Sequence, residues 1–363
     1  MSNSAGEQPD RRVQMDAEEA NRLFQQAKNG TQLAADPASG DDSEEENGVV
    51  TRGVPGGHDE ATEKNDGFLD IFPDDTEELE LTHLRIDNVP ELGLGRFKNL
   101  QRLSFRQNLI QKIRGFDELT TLVELDLYDN RFSKIEGLEN LTELRSLDLS
   151  FNGIRRIQKL EHLVNLTDLY LVSNKISVVE NIHTLVNITN LELGANRIRK
   201  IENLDTLVNL RQLWLGKNKI TKLENLGKLK NLKLLSIQSN RLTKLEGLEE
   251  LTNLEELYLS HNGIETVEGL ENNTRLTTLD IGNNRISKLE NLAHLRSLEE
   301  FWASNNQLTS FEDFEAMFRD NAPDLVTIYA EGNPLQTQNE TTYRLKFKML
   351  LPQIKQLDAS YLR

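Results

Sequence analysis

Cysteine is absent from the 363 residues, which excludes disulfides, thiolate catalysis and cysteine-ligated metals. Proline is scarce at 8 residues and aromatics make up 6% of the chain, while no apolar run approaches the roughly 20 residues that a membrane-spanning helix requires. No N-terminal apolar stretch reads as a signal peptide either. Histidines are few and scattered, at His58, His83, His162, His183, His261 and His294, without metal-ligand spacing. Neither a nucleophile arrangement nor a glycine-rich phosphate loop is present. These absences predict a protein of the nucleus and cytoplasm that is not an enzyme, needs no cofactor and has no membrane partner.

What is there is charge, unevenly spread. Residues 1–76 hold 18 acids against 6 bases (18 − 6 = 12), which leaves 59 − 18 = 41 acids against 42 − 6 = 36 bases in residues 77–363. The body is therefore close to neutral. With no basic stripe along a helix, the sequence predicts no nucleic-acid partner. Residues 1–76 are rich in Gly, Ser, Asp and Glu and cannot bury enough apolar surface to offset the entropy of ordering, so they are expected to form a disordered acidic tail. Within it Ser43 precedes an acidic run in DDSEEE (41–46), a context suited to phosphorylation by acid-directed kinases.

From residue 77 the chain repeats itself. Asparagines recur every 22 residues at 108, 130, 152, 174, 196, 218, 240, 262, 284 and 306, inside the pattern L-x-x-L-x-L-x-x-N-x-I-x-x-I-E-N/G-L-x-x-L. Alternation in L-x-L gives a short strand with one buried face. The asparagine ends that strand by turning its amide inward to satisfy backbone groups of neighbouring coils. The Glu-Asn or Glu-Gly pair is read as opening a short helical turn on the opposite side. Each unit can bury its apolar face only against its neighbours, so the expected fold is an α/β repeat. It is a solenoid of about twelve 22-residue units with a parallel concave sheet and short helical convex turns.

Both ends depart from the pattern. In LELTHLRIDNV (79–89) Leu84 stands where the asparagine should be, which marks a degenerate first unit. At the other end Asn333 follows Asn306 by 27, inserting five residues around FEDFEAMFRDNAP. The array is placed at 77–335 and a C-terminal cap at 336–363.

The outward middle position of each strand reads Glu80, Ser104, Asp126, Asp148, Tyr170, Glu192, Trp214, Ser236, Tyr258, Asp280, Trp302 and Tyr329. Both tryptophans of the protein fall in this one row, alternating with carboxylates. Exposed aromatics reduce solubility, whereas Trp and Tyr dominate binding free energy at interfaces, so the row is read as a partner-binding face. Asp148, Glu192 and Asp280, with Glu256 and Glu300 in the flanking row, would favour Arg or Lys on that partner.

The repeat words RQNLIQKI (106–113), ELDLYDNRFSKIEGLENLTEL (124–144), GKNKITKL (216–223), QSNRLTKLEGL (238–248) and YLSHNGIETVEGLENN (258–273) resemble a narrower group. They are similar to the leucine-rich-repeat regulatory subunit of protein phosphatase 1, the regulatory subunit 7 family. The resemblance implies a regulator that binds the phosphatase catalytic subunit through its concave face, controls its activity and assembly, forms a ternary complex with inhibitor-3 and acts in mitosis. The family's binding positions match Asp148, Tyr170, Glu192, Trp214, Asp280, Glu300, Trp302 and Tyr329; Tyr258 lies in the same row. Tyr170 and Trp214 stand where relatives are expected to carry phenylalanine. Many phosphatase regulators dock through a basic-Val-x-Phe peptide. Here Arg12-Val13-Gln14-Met15 lacks the aromatic, and Arg102-Leu103-Ser104-Phe105 falls in a strand whose Leu and Phe belong to the core. The alternative reading is a leucine-rich-repeat scaffold for another intracellular complex.

Overall fold

The computed structural model describes residues 68–362. Twelve three-residue strands, β1 (Glu78–Glu80), β2 (Arg102–Ser104), β3 (Glu124–Asp126), β4 (Ser146–Asp148), β5 (Asp168–Tyr170), β6 (Asn190–Glu192), β7 (Gln212–Trp214), β8 (Leu234–Ser236), β9 (Glu256–Tyr258), β10 (Thr278–Asp280), β11 (Glu300–Trp302) and β12 (Thr327–Tyr329), stack in chain order. All neighbours among them are parallel. The sheet runs two strands further than the repeat count implies. In the cap, β13 (Gln356–Leu357) pairs parallel with β12, and β14 (Ser360–Tyr361) folds back antiparallel.

The asparagine ladder forms as the spacing predicts. Asn218 Nδ2 donates to Leu193 O (2.9 Å) and Leu215 O (3.0 Å), while its Oδ1 accepts Ile198 N at 2.9 Å. One amide thus ties three coil segments that would otherwise leave buried backbone groups unpaired. Asn333 repeats this after the insertion, donating to Ala303 O (2.8 Å) and accepting Leu308 N (3.0 Å). Asp358 closes the series, accepting Ala330 N (2.8 Å) and Glu331 N (3.0 Å).

The convex side differs from the expected helical turns. Among the described residues no α-helix precedes Phe311. Leu138, Leu141, Leu144 and Leu147 are all buried at intervals of three, and Leu141 N and Leu144 N bond Leu138 O and Leu141 O at 3.1 Å. Three-residue spacing with bonds three residues back builds successive tight turns, and a 22-residue coil leaves no length for an α-helix. The position before these leucines is left-handed, with φ of 57°, 60° and 59° at Asn181, Asn203 and Asn225, which favours Asn and Gly in this column, although Lys159 occupies it with φ of 56°. Their amides form a second ladder, Asn181 Nδ2 reaching Ile157 O at 2.7 Å and Asn225 Nδ2 reaching Ile201 O at 2.7 Å.

α-Helices appear where the repeat ends. The five-residue insertion houses α1 (Phe311–Phe318), capped by Ser310 Oγ accepting Asp313 N at 3.0 Å. Phe314 packs on Phe347 of the cap helix α3 (Tyr343–Leu350) at 4.9 Å between ring centroids, with the short α2 (Pro334–Thr337) between them in sequence. At the other end the fold starts earlier than residue 77. Residues 68–71 form a 3-10 turn, Leu69 is buried, and Arg96 donates to Leu69 O (2.5 Å), Phe72 O (3.1 Å) and Asp74 Oδ1 (2.7 Å). Residues 68–76, assigned by composition to the tail, are therefore held against the first unit. Ser43 and Arg12–Met15 lie outside the described residues.

Candidate functional site: the concave face

Strand pairing brings the predicted row together without slippage. Asp126, Asp148, Tyr170, Glu192, Trp214, Ser236, Tyr258, Asp280, Trp302 and Tyr329 are successive register partners across β3 to β12. Glu300 lies in the neighbouring row, beside Thr278 and Thr327. At roughly 4.8 Å per strand the row is on the order of 50 Å long, enough to hold a folded domain.

At its C-terminal end the row is an aromatic box. Tyr258 and Trp302 lie on the two strands that flank Asp280, their ring centroids 6.0 Å apart, and Tyr329 meets Trp302 edge-on at 5.9 Å. The two rings close over the shorter aspartate, so Asp280 is only 3% exposed rather than open to a partner as its outward position implies. Burial raises its carboxyl to about 6, against the hydrogen bonds from Ser260 and from Gly282 N at 2.9 Å that favour the ionised form. The more accessible carboxylates here are Glu256 and Glu300. Tyr258 Oη donates to Glu256 Oε2 at 2.6 Å and Trp302 Nε1 to Glu300 Oε2 at 3.1 Å. Burial, with the Glu256 charge, pushes the Tyr258 hydroxyl up, and burial raises Glu300 as well. Tyr329 Oη accepts Gln356 Nε2 at 2.9 Å, tying the box to the cap.

In the middle of the row Tyr170, Glu192 and Trp214 are half-buried neighbours. Asn190 Nδ2 donates to Tyr170 Oη at 3.3 Å, and Trp214 Nε1 is buried with no acceptor among the described residues.

The N-terminal end has a different composition. Burial lifts Asp148 to about 6, helped by the Asp126 charge and opposed by the bonds from Ser150, whose N–H lies 2.8 Å from Asp148 Oδ1. Arg106 pairs with Asp126 at 3.0 Å and stacks on Tyr128 at 4.1 Å from the ring centroid; Tyr128 in turn packs on Phe151 at 4.8 Å. Phe151 is 44% exposed. Arg106, Tyr128 and Phe151 are the residues that reading the middle column alone misses. Arg106 and Tyr128 share a column two places after it and are recovered by reading that column at the same 22-residue interval.

A groove of about 430 Å³ lies along the strand-entry edge, away from this row, lined among others by Arg145, Asn165, Asn187 and Arg211. Its asparagines donate to the preceding coil, Asn187 Nδ2 to Val164 O at 2.9 Å, so the groove is a third ladder seen from outside. Among the described residues no group of three or more His, Asp or Glu is arranged to hold a metal ion, and no helix is long and apolar enough to cross a membrane.

The profile of the family described as Leucine Rich repeats (2 copies) matches residues 98–140, 120–163, 208–250 and 252–294. A stretch of 63 residues is 51% identical to the protein phosphatase 1 regulatory subunit SDS22 of Schizosaccharomyces pombe, covering 17% of this chain and 18% of that relative. A stretch of 57 residues is 51% identical to SDS22 of Saccharomyces cerevisiae, covering 15% and 17%. The matches thus span less than a fifth of either curated relative. Among solved structures, an internalin of Listeria monocytogenes superposes with a TM-score of 0.63 at 23% identity, over 80% of this chain and 88% of its own, a likeness of fold alone. A Leptospira interrogans leucine-rich-repeat protein gives 0.60 at 27% identity, over 74% of each. The likeness expected from the repeat words is found in these comparisons.

Proposed function

From the premise that the chain is a leucine-rich repeat solenoid similar in sequence to SDS22, we propose that it is a regulatory subunit of protein phosphatase 1 that binds the catalytic subunit through its concave face. The observation that carries this reading is the row from Tyr170 to Tyr329, in which aromatics and carboxylates share one register across the sheet. Half-buried Trp and Tyr side chains lose little conformational entropy on docking and supply large contact area.

The partner face is basic and partly apolar. Glu256 and Glu300 offer it carboxylate oxygens beside aromatic rings, and cations over Trp302 would gain from both. The chain supplies no nucleophile or metal of its own in this reading, and phosphate-ester hydrolysis belongs to the catalytic subunit. Leu103 and Phe105 of the Arg102–Phe105 stretch are core residues, so docking uses the folded face rather than a linear peptide. The peptide groove of the phosphatase would then stay open to a third component, such as inhibitor-3, in a nuclear and cytoplasmic assembly.

The test is calorimetric titration of the full chain with purified phosphatase 1 catalytic subunit, comparing wild type with Trp302→Ala. The expected result is binding by wild type and a loss of about 30-fold, or roughly 2 kcal/mol, in the variant. Absence of binding by folded wild type would instead favour a scaffold for another intracellular complex.

A further inference from the structure

The edge where the chain leaves the strands and turns onto the convex side carries charge of the opposite sign to the concave face. Directly after four successive ladder asparagines stand Lys175, Arg197, Lys219 and Arg241, opening the segments KISV, RIRK, KITK and RLTK. Backbone bonds hold these segments coil to coil: Arg197 N to Ile176 O, Lys219 N to Ile198 O and Arg241 N to Ile220 O, each 2.8 Å. The second residue of each segment is buried, which turns the first and third outward on the same side and adds Arg199 to the row. Lys200, Lys222 and Lys244 follow at the fourth position. Lys175, Arg197, Arg199, Lys219, Arg241 and Lys244 make no ion pair among the described residues, while Lys200 and Lys222 reach Glu202 and Glu246 only at 3.8 and 3.7 Å. At the first position the strip is bounded by Gly153 in the preceding coil and Gly263 in the following one; at the third position Arg155 of the preceding coil extends it, whereas Arg156 beside it pairs with Glu180 at 3.0 Å and the following coil carries Glu265.

We propose that this edge is a docking strip for an extended acidic polypeptide segment, distinct from the concave face. Cations one coil apart, at roughly 4.8 Å, lie close to the roughly 6.6 Å repeat of same-side residues in an extended chain, and long Lys and Arg stems absorb the difference. A protein segment fits better than a nucleic acid. No aromatic residue occurs in the four segments to stack a base, and the row Glu180, Glu202, Glu224 and Glu246 runs beside the strip, where it would repel a continuous phosphate chain but tolerate spaced carboxylates. Because the concave row is acidic and this edge is basic, the two surfaces select partners of opposite charge and can be occupied together.

The experiment uses the full chain and a fluorescein-labelled peptide of roughly twelve residues alternating Glu and Ser, followed by fluorescence anisotropy at about 0.05 M and about 0.3 M salt. Controls are the same peptide with Gln for Glu and a labelled oligothymidylate of equal length. The strip variant is Arg197→Glu with Lys219→Glu and Arg241→Glu. A second variant, Lys228→Glu with Arg296→Glu and Lys355→Glu, makes the same charge change at exposed cations elsewhere. The expected result is binding of the Glu peptide alone, weakened by salt, tenfold or more weaker in the strip variant and within about twofold of wild type in the second. No binding by wild type, equal loss in both variants, or tighter binding of the oligothymidylate would overturn the proposal. Phosphatase binding read in parallel separates the two surfaces: it should survive in the strip variant, and its failure in wild type would count against the proposed function and leave the strip result intact.

Discussion

Asp148 in β4 and Asp280 in β10 occupy the same place in their coils, and burial lifts both carboxyls to about 6, yet the surroundings differ. At the N-terminal end a cation is already present: Arg106 pairs with Asp126, and although burial works against its charge, the two nearby aspartates hold its guanidinium pKa above the ordinary value. At the C-terminal end the neighbours that shape Asp280, Glu300 and Tyr258 are rings, hydroxyls and other carboxylates, with no cation among them. The difference teaches where a basic partner gains most. The N-terminal end is internally compensated, whereas the C-terminal end holds negative charge under an aromatic cover and lacks a counter-ion.

The largest effect that can disturb both ends is loss of the ladder between them. Asn218→Ala removes four hydrogen bonds to the backbone, three of them buried, so thermal unfolding should show destabilisation of about 2–4 kcal/mol and weaken binding at either end indirectly. Next, Trp302→Ala and Tyr128→Ala compare the ends directly. Titration with the phosphatase should show about 30-fold loss for Trp302→Ala and under about fivefold for Tyr128→Ala, with unchanged circular dichroism for both. Equal losses would erase the distinction.

Acid gives a third contrast. Asp280 has a raised folded pKa, so its favourable contribution to stability is complete below the ordinary value of 3.8 and is lost as pH rises towards about 6. Asp280→Asn should therefore raise the melting midpoint at pH 7.5 and leave it unchanged near pH 4. A basic partner that stabilises the ionised carboxylate makes binding release protons, so complex formation should weaken as pH falls through about 6, and calorimetry in buffers of different ionisation enthalpy reads this directly. Smallest is Arg106→Ala. Its pair with Asp126 is partly exposed, and the stability change by denaturant titration should stay at or below about 1 kcal/mol.

Much of this face was legible because a repeat of fixed length converts sequence columns into spatial rows. Trp302, Tyr258 and Asp280 were placed beside one another by counting 22, and the register confirms the placement. What the count cannot supply is depth. Whether Asp280 is open or roofed depends on side chains two strands apart leaning together, which no single coil encodes. The basic edge was missed because its cations stand 22 residues apart and not on a helix; the same columnar reading applied one place after each asparagine finds Lys175, Arg197, Lys219 and Arg241.

By itself the sequence determined the coil length, the strand positions, the asparagine ladder and the outward row, because each follows from local alternation and from backbone groups that must be paired within a repeating unit. Only the tertiary structure decided that the convex side is made of tight turns, that residues 68–76 join the first coil, that the cap adds two strands, and that Asp280 lies under Tyr258 and Trp302. Those outcomes depend on how neighbouring coils share space, and burial, unlike periodicity, is a property of the assembled stack.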